Sequence, residues 1–158
     1  MTREKKQELT LRITQASKIE LIEILYEMVL CYVDDAKQAH AKEDRVEYRD
    51  AIRKARGCIS ELLSSLNMEY ELAMRFLELY LYCNRELALA DVKNDCTHLD
   101  HICRVVGKLQ TAYVELSKMD TSGPVMQNSQ TVYAGLTYGK GELTENMADQ
   151  GVNRGFRA

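Results

Sequence analysis

The chain has 158 residues, of which 46% are hydrophobic and 28% are charged, and its formal net charge is −3 at pH 7. This composition is typical of one soluble globular domain with a sizeable core. The small negative charge gives no reason to expect a nucleic acid or an anionic membrane as a partner. No run approaches the roughly 18 apolar residues of a membrane span, and the charged start lacks the apolar core of a signal peptide. We therefore expect a cytoplasmic protein, whose odd number of five cysteines stay as reduced thiols.

Composition changes sharply near residue 120. The only proline and six of the eight glycines lie at or after residue 123. We therefore divide the chain into an N-terminal segment 1–16, a helix-rich region 17–120 and a glycine-containing tail 121–158. Aromatic residues spaced along the tail leave two interpretations open: a disordered tail, or an arm that becomes ordered on a partner.

The N-terminal segment carries two competing patterns. Leu9, Leu11 and Ile13 alternate with polar residues, whereas Leu9 and Ile13 alone have the spacing of a short helical turn. From the sequence, this segment either packs over the remaining structure or swings free of it.

Four helices are predicted in the helix-rich region. The first begins at Ser17, which has the spacing of a capping box with Glu20, and the second begins after Asp44. The third covers residues 72–90, and the fourth follows Asp95. Each connection is about four residues long, and such short links force neighbouring helices to be antiparallel. The predicted fold class is all-α: an antiparallel up-down four-helix bundle with a short N-terminal segment and a flexible C-terminal tail.

The third predicted helix has more apolar surface than one core needs. Its apolar arc covers roughly 220°, whereas a helix that faces a single core needs a stripe of somewhat over ~100°. One flank of the arc contains Leu72, Leu79 and Cys83, and the other contains Met74 and Leu81. Such a helix is either central in its fold or presents a second face to a partner, and the rest of the chain looks too short to surround it. The pattern therefore predicts a binding protein.

The segment CTHLDHIC at 96–103 is the strongest candidate for metal or redox chemistry. Cys96, His98, His101 and Cys103 are of the ligand types that zinc prefers. On one helix, however, the cysteines and the histidines point to different parts of the circumference, so a cysteine of another helix would have to complete the site. We therefore favour Cys103 as a small core residue and the histidines as solvated side chains, with no metal and no cofactor.

The sequence contains no recognisable catalytic motif. Glu-x-x-His pairs, which a di-iron bundle needs, do not occur, and the Gly-Lys-Gly at 139–141 lacks the spacing of a phosphate-binding loop. The basic residues around Arg53 are interleaved with Asp50 and are predicted to form a solvated face. We therefore do not expect an enzyme.

Three segments, in order, resemble the FliS family of flagellar secretion chaperones. Residues 16–27, ASKIELIEILYE, are similar to the family's Ala-Ser-Pro-x-x-Leu-Ile-x-x-Leu-Tyr-Asp entry into its first long helix. Residues 59–67, ISELLSSLN, resemble the Ile-x-x-Leu-x-x-x-Leu-Asn end of its second helix, and Leu-Glu-Leu-Tyr at 77–80 resembles its Leu-x-x-Leu-Tyr pattern. Lys18 stands where the family usually has proline, which is favourable but not required in the first helical turn. The resemblance covers residues 14–119.

The resemblance implies a cytoplasmic chaperone that binds the C-terminal segment of flagellin, prevents its premature polymerisation and aids its export. It also implies a disordered client that folds partly into helices on the chaperone, and an N-terminal lid that residues 1–16 would form over the groove. The flagellar export apparatus is a further candidate partner. The candidate partner-binding residues are Leu25, Tyr26, Leu66, Asn67, Leu72, Leu79, Tyr80 and Tyr82.

Self-association is the main alternative. In a structural bundle, the extra apolar face of the third helix would pair with a second copy of the chain and form a homodimer.

Overall fold

The computed structural model describes residues 1–126 of the chain, and these contain five α-helices and no strand. The helices are α1 (Arg3–Gln15), α2 (Lys18–Ala41), α3 (Arg45–Ser64), α4 (Glu71–Lys93) and α5 (Thr97–Ser117). The four predicted helices correspond to α2 to α5. The prediction of an all-α fold is confirmed, whereas the number of helices is corrected from four to five, because the N-terminal segment is also helical. Nearly all of the predicted tail, including its spaced aromatic residues, lies outside the described residues.

Helices α2 to α5 pack in a closed ring. Helix α2 lies against α3 and α5, and α4 lies against the same two helices. Contacts at both ends show that α2 and α5 are antiparallel: Lys37 Nζ lies 2.6 Å from Asp100 Oδ1, and the Ser117 hydroxyl donates to Glu23 over 3.1 Å. The short connections dictate this arrangement, since helices that follow one another must turn back on themselves.

Local sequence sets the ends of the bundle helices. The Ser17 hydroxyl accepts from the Glu20 amide and the Glu20 carboxylate accepts from the Ser17 amide, which confirms the predicted capping box. Asp44 caps α3 by accepting from the Glu47 amide over 2.9 Å. Helix α4 ends at Asn94, whose φ of 53° lies in the left-handed region that asparagine tolerates. Because these caps pair backbone groups that helix ends leave free, the boundaries lie close to the predicted ones.

Tyrosines fill the middle of the bundle core. Tyr26 of α2 and Tyr80 of α4 are buried, and their hydroxyls hydrogen-bond to each other across the bundle. The rings of Tyr26 and Tyr113 form a T-shaped pair with centroids 5.3 Å apart. Burial raises the pKa of Tyr26 and raises the pKa of Tyr80 to about 12, so both phenols stay protonated at neutral pH. The hydroxyl pair lets the core bury these large rings without an unpaired polar end.

Helix α1 lies along α2 and, within residues 1–126, contacts no other helix. Its buried Leu9 packs with Ala16 and Ile24 in a small core separate from that of the bundle. The N-terminal segment therefore packs rather than swinging free, and it packs on α2. A role as a lid over α4 would require α1 to leave this position.

Glu27 of α2 links α1 to the bundle by charge. Its carboxylate lies 2.7 Å from Lys5 Nζ and 2.6 Å from Arg12 Nη1, both on α1. Burial raises the pKa of Glu27, but hydrogen bonds from Lys5 and Arg12 outweigh burial and lower the pKa overall. The ionised carboxylate therefore stabilises the docked position of α1.

The chain after α5 returns to the junction of α1 and α2. The Ser17 hydroxyl donates to Asp120 over 2.8 Å, and the Val125 amide donates to the Ala16 carbonyl over 3.0 Å. These contacts fix the turn between α1 and α2 from outside, so the last described residues lie at the end of the bundle where α2 begins.

Candidate partner-binding cleft

An apolar cleft of about 550 Å³ opens at the end of the bundle where α3 ends and α4 begins. Most of its lining comes from the α3–α4 connection and the first turns of α4, with Ile22 added by α2 and Tyr113 by α5. The connection turns sharply because Asn67 Oδ1 accepts a hydrogen bond from the Glu69 amide over 3.0 Å, as in an Asx-turn. This turn brings the end of α3 and the start of α4 together as two walls of the cleft.

Aromatic rings form the base of the cleft. Phe76 stacks on Tyr80 with centroids 6.1 Å apart and planes at 28°, and it meets Tyr113 in a T-shaped pair at 6.1 Å. Ala73, small and buried, lies beside them in the lining. Because paired rings hold one another in place, this base is preformed before any partner arrives.

Large apolar side chains remain exposed at the rim. Tyr70 is 69% exposed and Leu72 is 58% exposed, and half-buried Leu66 lies opposite them at the end of α3. Tyr70 is also the N-cap residue of α4, and its side chain makes no capping hydrogen bond. Serine, aspartate or asparagine would stabilise this helix end better. The sequence therefore places an exposed aromatic ring where local stability favours a polar residue, which is typical of a functional position.

One flank of the wide apolar arc on α4 forms a second exposed surface, separate from the cleft rim because Met74 lies about 200° around the helix from Leu72. Met74 is 59% exposed and Leu81 is 52% exposed, and Ala88 is half-buried. On the other flank, Cys83 lies fully in the core and Leu79 is half-buried. The bundle thus covers the second flank beyond Leu72, which is exposed at the cleft rim, and leaves the first flank open.

A larger groove, of about 890 Å³, follows α3, and four arginines contribute to its lining. Arg49 Nε lies 3.0 Å from Asp91 Oδ1, and Arg56 Nε donates to Asn84 Oδ1 over 2.8 Å. These exposed cations already have partners within the chain. The apolar cleft is therefore the better candidate for recognition of another protein.

Comparison with known families decides the classification. The family model described as flagellar protein FliS matches residues 1–120, which span all five helices. The chain belongs to the FliS family. Membership implies a chaperone role in the flagellar system, and it confirms the family resemblance that the sequence motifs indicated. No curated protein matches the chain significantly. Within residues 1–126, no helix is both long and apolar enough to cross a membrane.

The predicted partner-binding residues of this FliS chain fall into three groups. The cleft lining includes Leu66, Asn67, Leu72 and Tyr80. Tyr26 lies beneath the lining, fully buried, with its hydroxyl bonded to that of Tyr80. The side chains that are half-buried outside the lining are Leu25, Leu79 and Tyr82. Four of the eight predicted residues are thus brought together at one surface.

Several cleft residues carry no sequence signal that marks them as part of a binding surface. Tyr70 lies in the connection before α4, and the apolar spacing of Ile22, Phe76 and Tyr113 is that of ordinary core positions in their helices. Periodicity assigns a residue to the inner face of a helix, but it does not show where the end of a bundle stays open. The exposed Tyr70 at an N-cap was the one usable signal.

The predicted cluster of Cys96, His98, His101 and Cys103 does not converge on one point. The Cys103 sulfur lies 3.7 Å from Lys37 Nζ, towards α2. Instead, the two histidines turn towards a residue that the sequence did not single out, Glu86 of α4. The expectation of two solvated histidines is wrong for His98, whose side chain is only 15% exposed.

Proposed function

We propose that this chain is a cytoplasmic chaperone that binds the C-terminal segment of flagellin, keeps it from polymerising early and aids its export. The observation that carries the proposal is the preformed apolar cleft with exposed Tyr70 and Leu72 at its rim, in a chain of a flagellar chaperone family. Exposed apolar surface of this kind is costly in water unless a partner covers it.

A helical client fits the shape of this surface. Met74 and Leu81 are seven residues apart, so they stand about 10 Å apart along α4, two helical turns from one another. An amphipathic client helix presents apolar side chains at the same interval and can lie along this flank, while another part of the client occupies the cleft. A segment that folds on binding adds contact area while its affinity per unit area stays modest, which suits release during export.

The rigid base and the exposed rim have different roles in this proposal. Phe76, Tyr80 and Tyr113 give a fixed floor that loses little conformational entropy on binding. Leu72 and Tyr70 lose solvent contact when the client arrives and so supply most of the apolar burial. Tyr26 acts indirectly, by holding Tyr80 in place through the hydroxyl pair.

The test uses the flagellin of the same source organism and the substitution Leu72→Asp. Leu72 is more than half exposed, so the free chain should keep its fold. Covering the exposed part of a leucine is worth about 1–2 kcal/mol, so the loss of this contact together with burial of a charge should weaken client binding at least tenfold. Isothermal titration calorimetry gives the affinity, and thermal unfolding monitored by circular dichroism gives the stability.

Val46→Asp is the matched control, because Val46 is a more exposed apolar residue at the opposite end of α3. It should bind flagellin like the unaltered chain. The proposal is rejected if full-length flagellin forms no complex at micromolar concentration. Equal binding to flagellin that lacks its C-terminal segment would reject the proposed binding region.

Self-association is a second candidate, since the exposed flank of α4 would also suit a copy of the same helix. A homodimer through this flank would hide Met74 and Leu81, and flagellin would then have to compete for it. Light scattering of the chain with and without flagellin separates the two: a dimer that persists in the complex means that the client does not use this flank. Export apparatus components, added to the complex, test whether the chaperone also contacts them.

A further inference from the structure

Two histidines of α5 converge on a single carboxylate oxygen of α4. The Nδ1 atoms of His98 and His101 lie 2.9 Å and 3.0 Å from Glu86 Oε2. The three donor atoms all lie within 4.8 Å of one another. The histidines are three residues apart, so they occupy adjacent positions on one face of α5. Antiparallel packing brings the last turns of α4 beside the first turns of α5, which places Glu86 opposite that face.

This geometry is close to that of a tetrahedral metal site. Zinc binds imidazole nitrogens and carboxylate oxygens at about 2.0–2.2 Å, which sets neighbouring ligand atoms about 3.3 Å apart. The two Nδ1–Oε2 distances in the structure are a few tenths of an ångström shorter than this, so a small movement of each side chain makes room for the ion. The imidazole planes stand at 83° to each other, and their Nδ1 atoms approach the same oxygen from different directions.

The charge of the cluster also favours a cation. Glu86 is 7% exposed at its side chain, and its polar contacts within residues 1–126 are the two histidines. A buried carboxylate needs a compensating charge or a full set of hydrogen bonds. Neutral histidines supply bonds but no positive charge. Asp95, three residues before His98, adds negative potential, whereas Asp100 beside His101 is already paired with Lys37.

We propose that Glu86, His98 and His101 form a site for a divalent transition-metal ion, with zinc as the best match to two imidazoles and one carboxylate. His101 is partly open to solvent, so water completes the fourth position. The ion ties α4 to α5 at the opposite end of the bundle from the partner-binding cleft. Its effect is therefore to stabilise the chaperone fold, independently of whether flagellin is the client.

The experiment measures zinc binding to the full chain after removal of metal with a chelator. We expect one zinc ion per chain by calorimetry and elemental analysis, and a higher melting temperature with zinc. Cobalt provides a spectroscopic probe: the expected spectrum has d–d bands of a tetrahedral site and no thiolate-to-cobalt charge-transfer band. In a ¹H–¹⁵N spectrum of the imidazoles, zinc should shift the Nδ1 signals of two histidines and leave the third histidine, His40, unchanged.

Histidine substitutions supply the controls. His101→Gln and His98→Gln keep a hydrogen-bond donor near Glu86 but remove a ligand, and each should weaken zinc binding at least 10- to 100-fold, since even outer-shell changes have effects of this size. His40→Gln is the matched variant, because His40 contacts the Asn94 carbonyl instead. This variant should bind zinc normally.

The spectra of the unaltered chain decide the question even if a variant fails to fold. The proposal is overturned if the chain takes up no stoichiometric zinc, if cobalt shows thiolate ligation, or if folded His98→Gln and His101→Gln bind zinc as tightly as the unaltered chain.

Discussion

Replacing Leu9 by alanine is expected to release α1 from α2 without unfolding the bundle. Leu9 is the buried residue of α1, and it packs against Ala16 and Ile24 in a small core that meets the bundle core only at half-buried Met28. Losing a buried leucine side chain costs about 2 kcal/mol at a site with this little surrounding structure, near the low end for such substitutions. The ion pairs to Glu27 are partly exposed and add only about 0.2–1 kcal/mol each. A loss of about 2 kcal/mol raises the fraction of chains with α1 undocked about 30-fold.

Hydrogen exchange read by mass spectrometry measures this opening region by region. Amides of α1 should exchange about 30-fold faster in Leu9→Ala, whereas α2 to α5 keep their protection. Leu11→Ala is the matched control, because Leu11 is exposed on the same helix and should leave exchange unchanged. Flagellin affinity is measured on the same two variants. If α1 acts as a lid over part of the client surface, Leu9→Ala binds flagellin more tightly than Leu11→Ala does.

Two results would refute this reasoning. Faster exchange throughout α2 to α5 would mean that the small core of Leu9 is energetically part of the bundle. Unchanged exchange in α1 would mean that its charged contacts, rather than Leu9, hold the helix in place.

Two further predictions concern the groups that hold the core and α1. Tyr26→Phe and Tyr80→Phe should each lower the free energy of unfolding by about 1–3 kcal/mol, because each leaves one buried hydroxyl without its partner. The double variant should lose clearly less than the sum of the two. Urea unfolding measures these losses, and strictly additive losses would contradict the pairing. The lowered pKa of Glu27 means that its contribution to α1 docking is present above the unfolded value near 4.5 and is lost as pH falls through the folded value. Amide chemical shifts of α1 in an acid titration should therefore move towards undocked values. Glu27→Gln should reduce this pH dependence and leave the part that comes from the Glu23–Arg12 and Asp35–N-terminus pairs. An α1 that stays docked throughout the titration would contradict the role of Glu27.

The sequence was most informative where structure depends on neighbours in the chain. The capping box at Ser17 and the cap at Asp44 mark helix starts that depend on only a few residues. Apolar spacing of three and four then assigned the buried face of each helix. The short connections left antiparallel packing as the only compact arrangement.

The sequence predicted only part of the candidate site. The wide apolar arc of α4 correctly indicated surface beyond one core, and the sequence left open which flank stays exposed. In the structure Leu81 lies on the exposed flank and Cys83 lies in the core. That choice depends on how α4 is rotated between α3 and α5, and rotation is set by the sum of packing contacts with both neighbours.

What the sequence by itself determined is therefore the local part: an all-α chain, its four bundle helices, their caps and their order. Only the tertiary structure decided that α1 docks on α2, that the bundle stays open beside Tyr70, and that His98 and His101 meet Glu86. The physical reason is how far apart along the chain the interacting residues are. Helix formation and capping involve residues up to four positions apart. The other three features join residues of different helices, and these residues come close together only once the helices have packed.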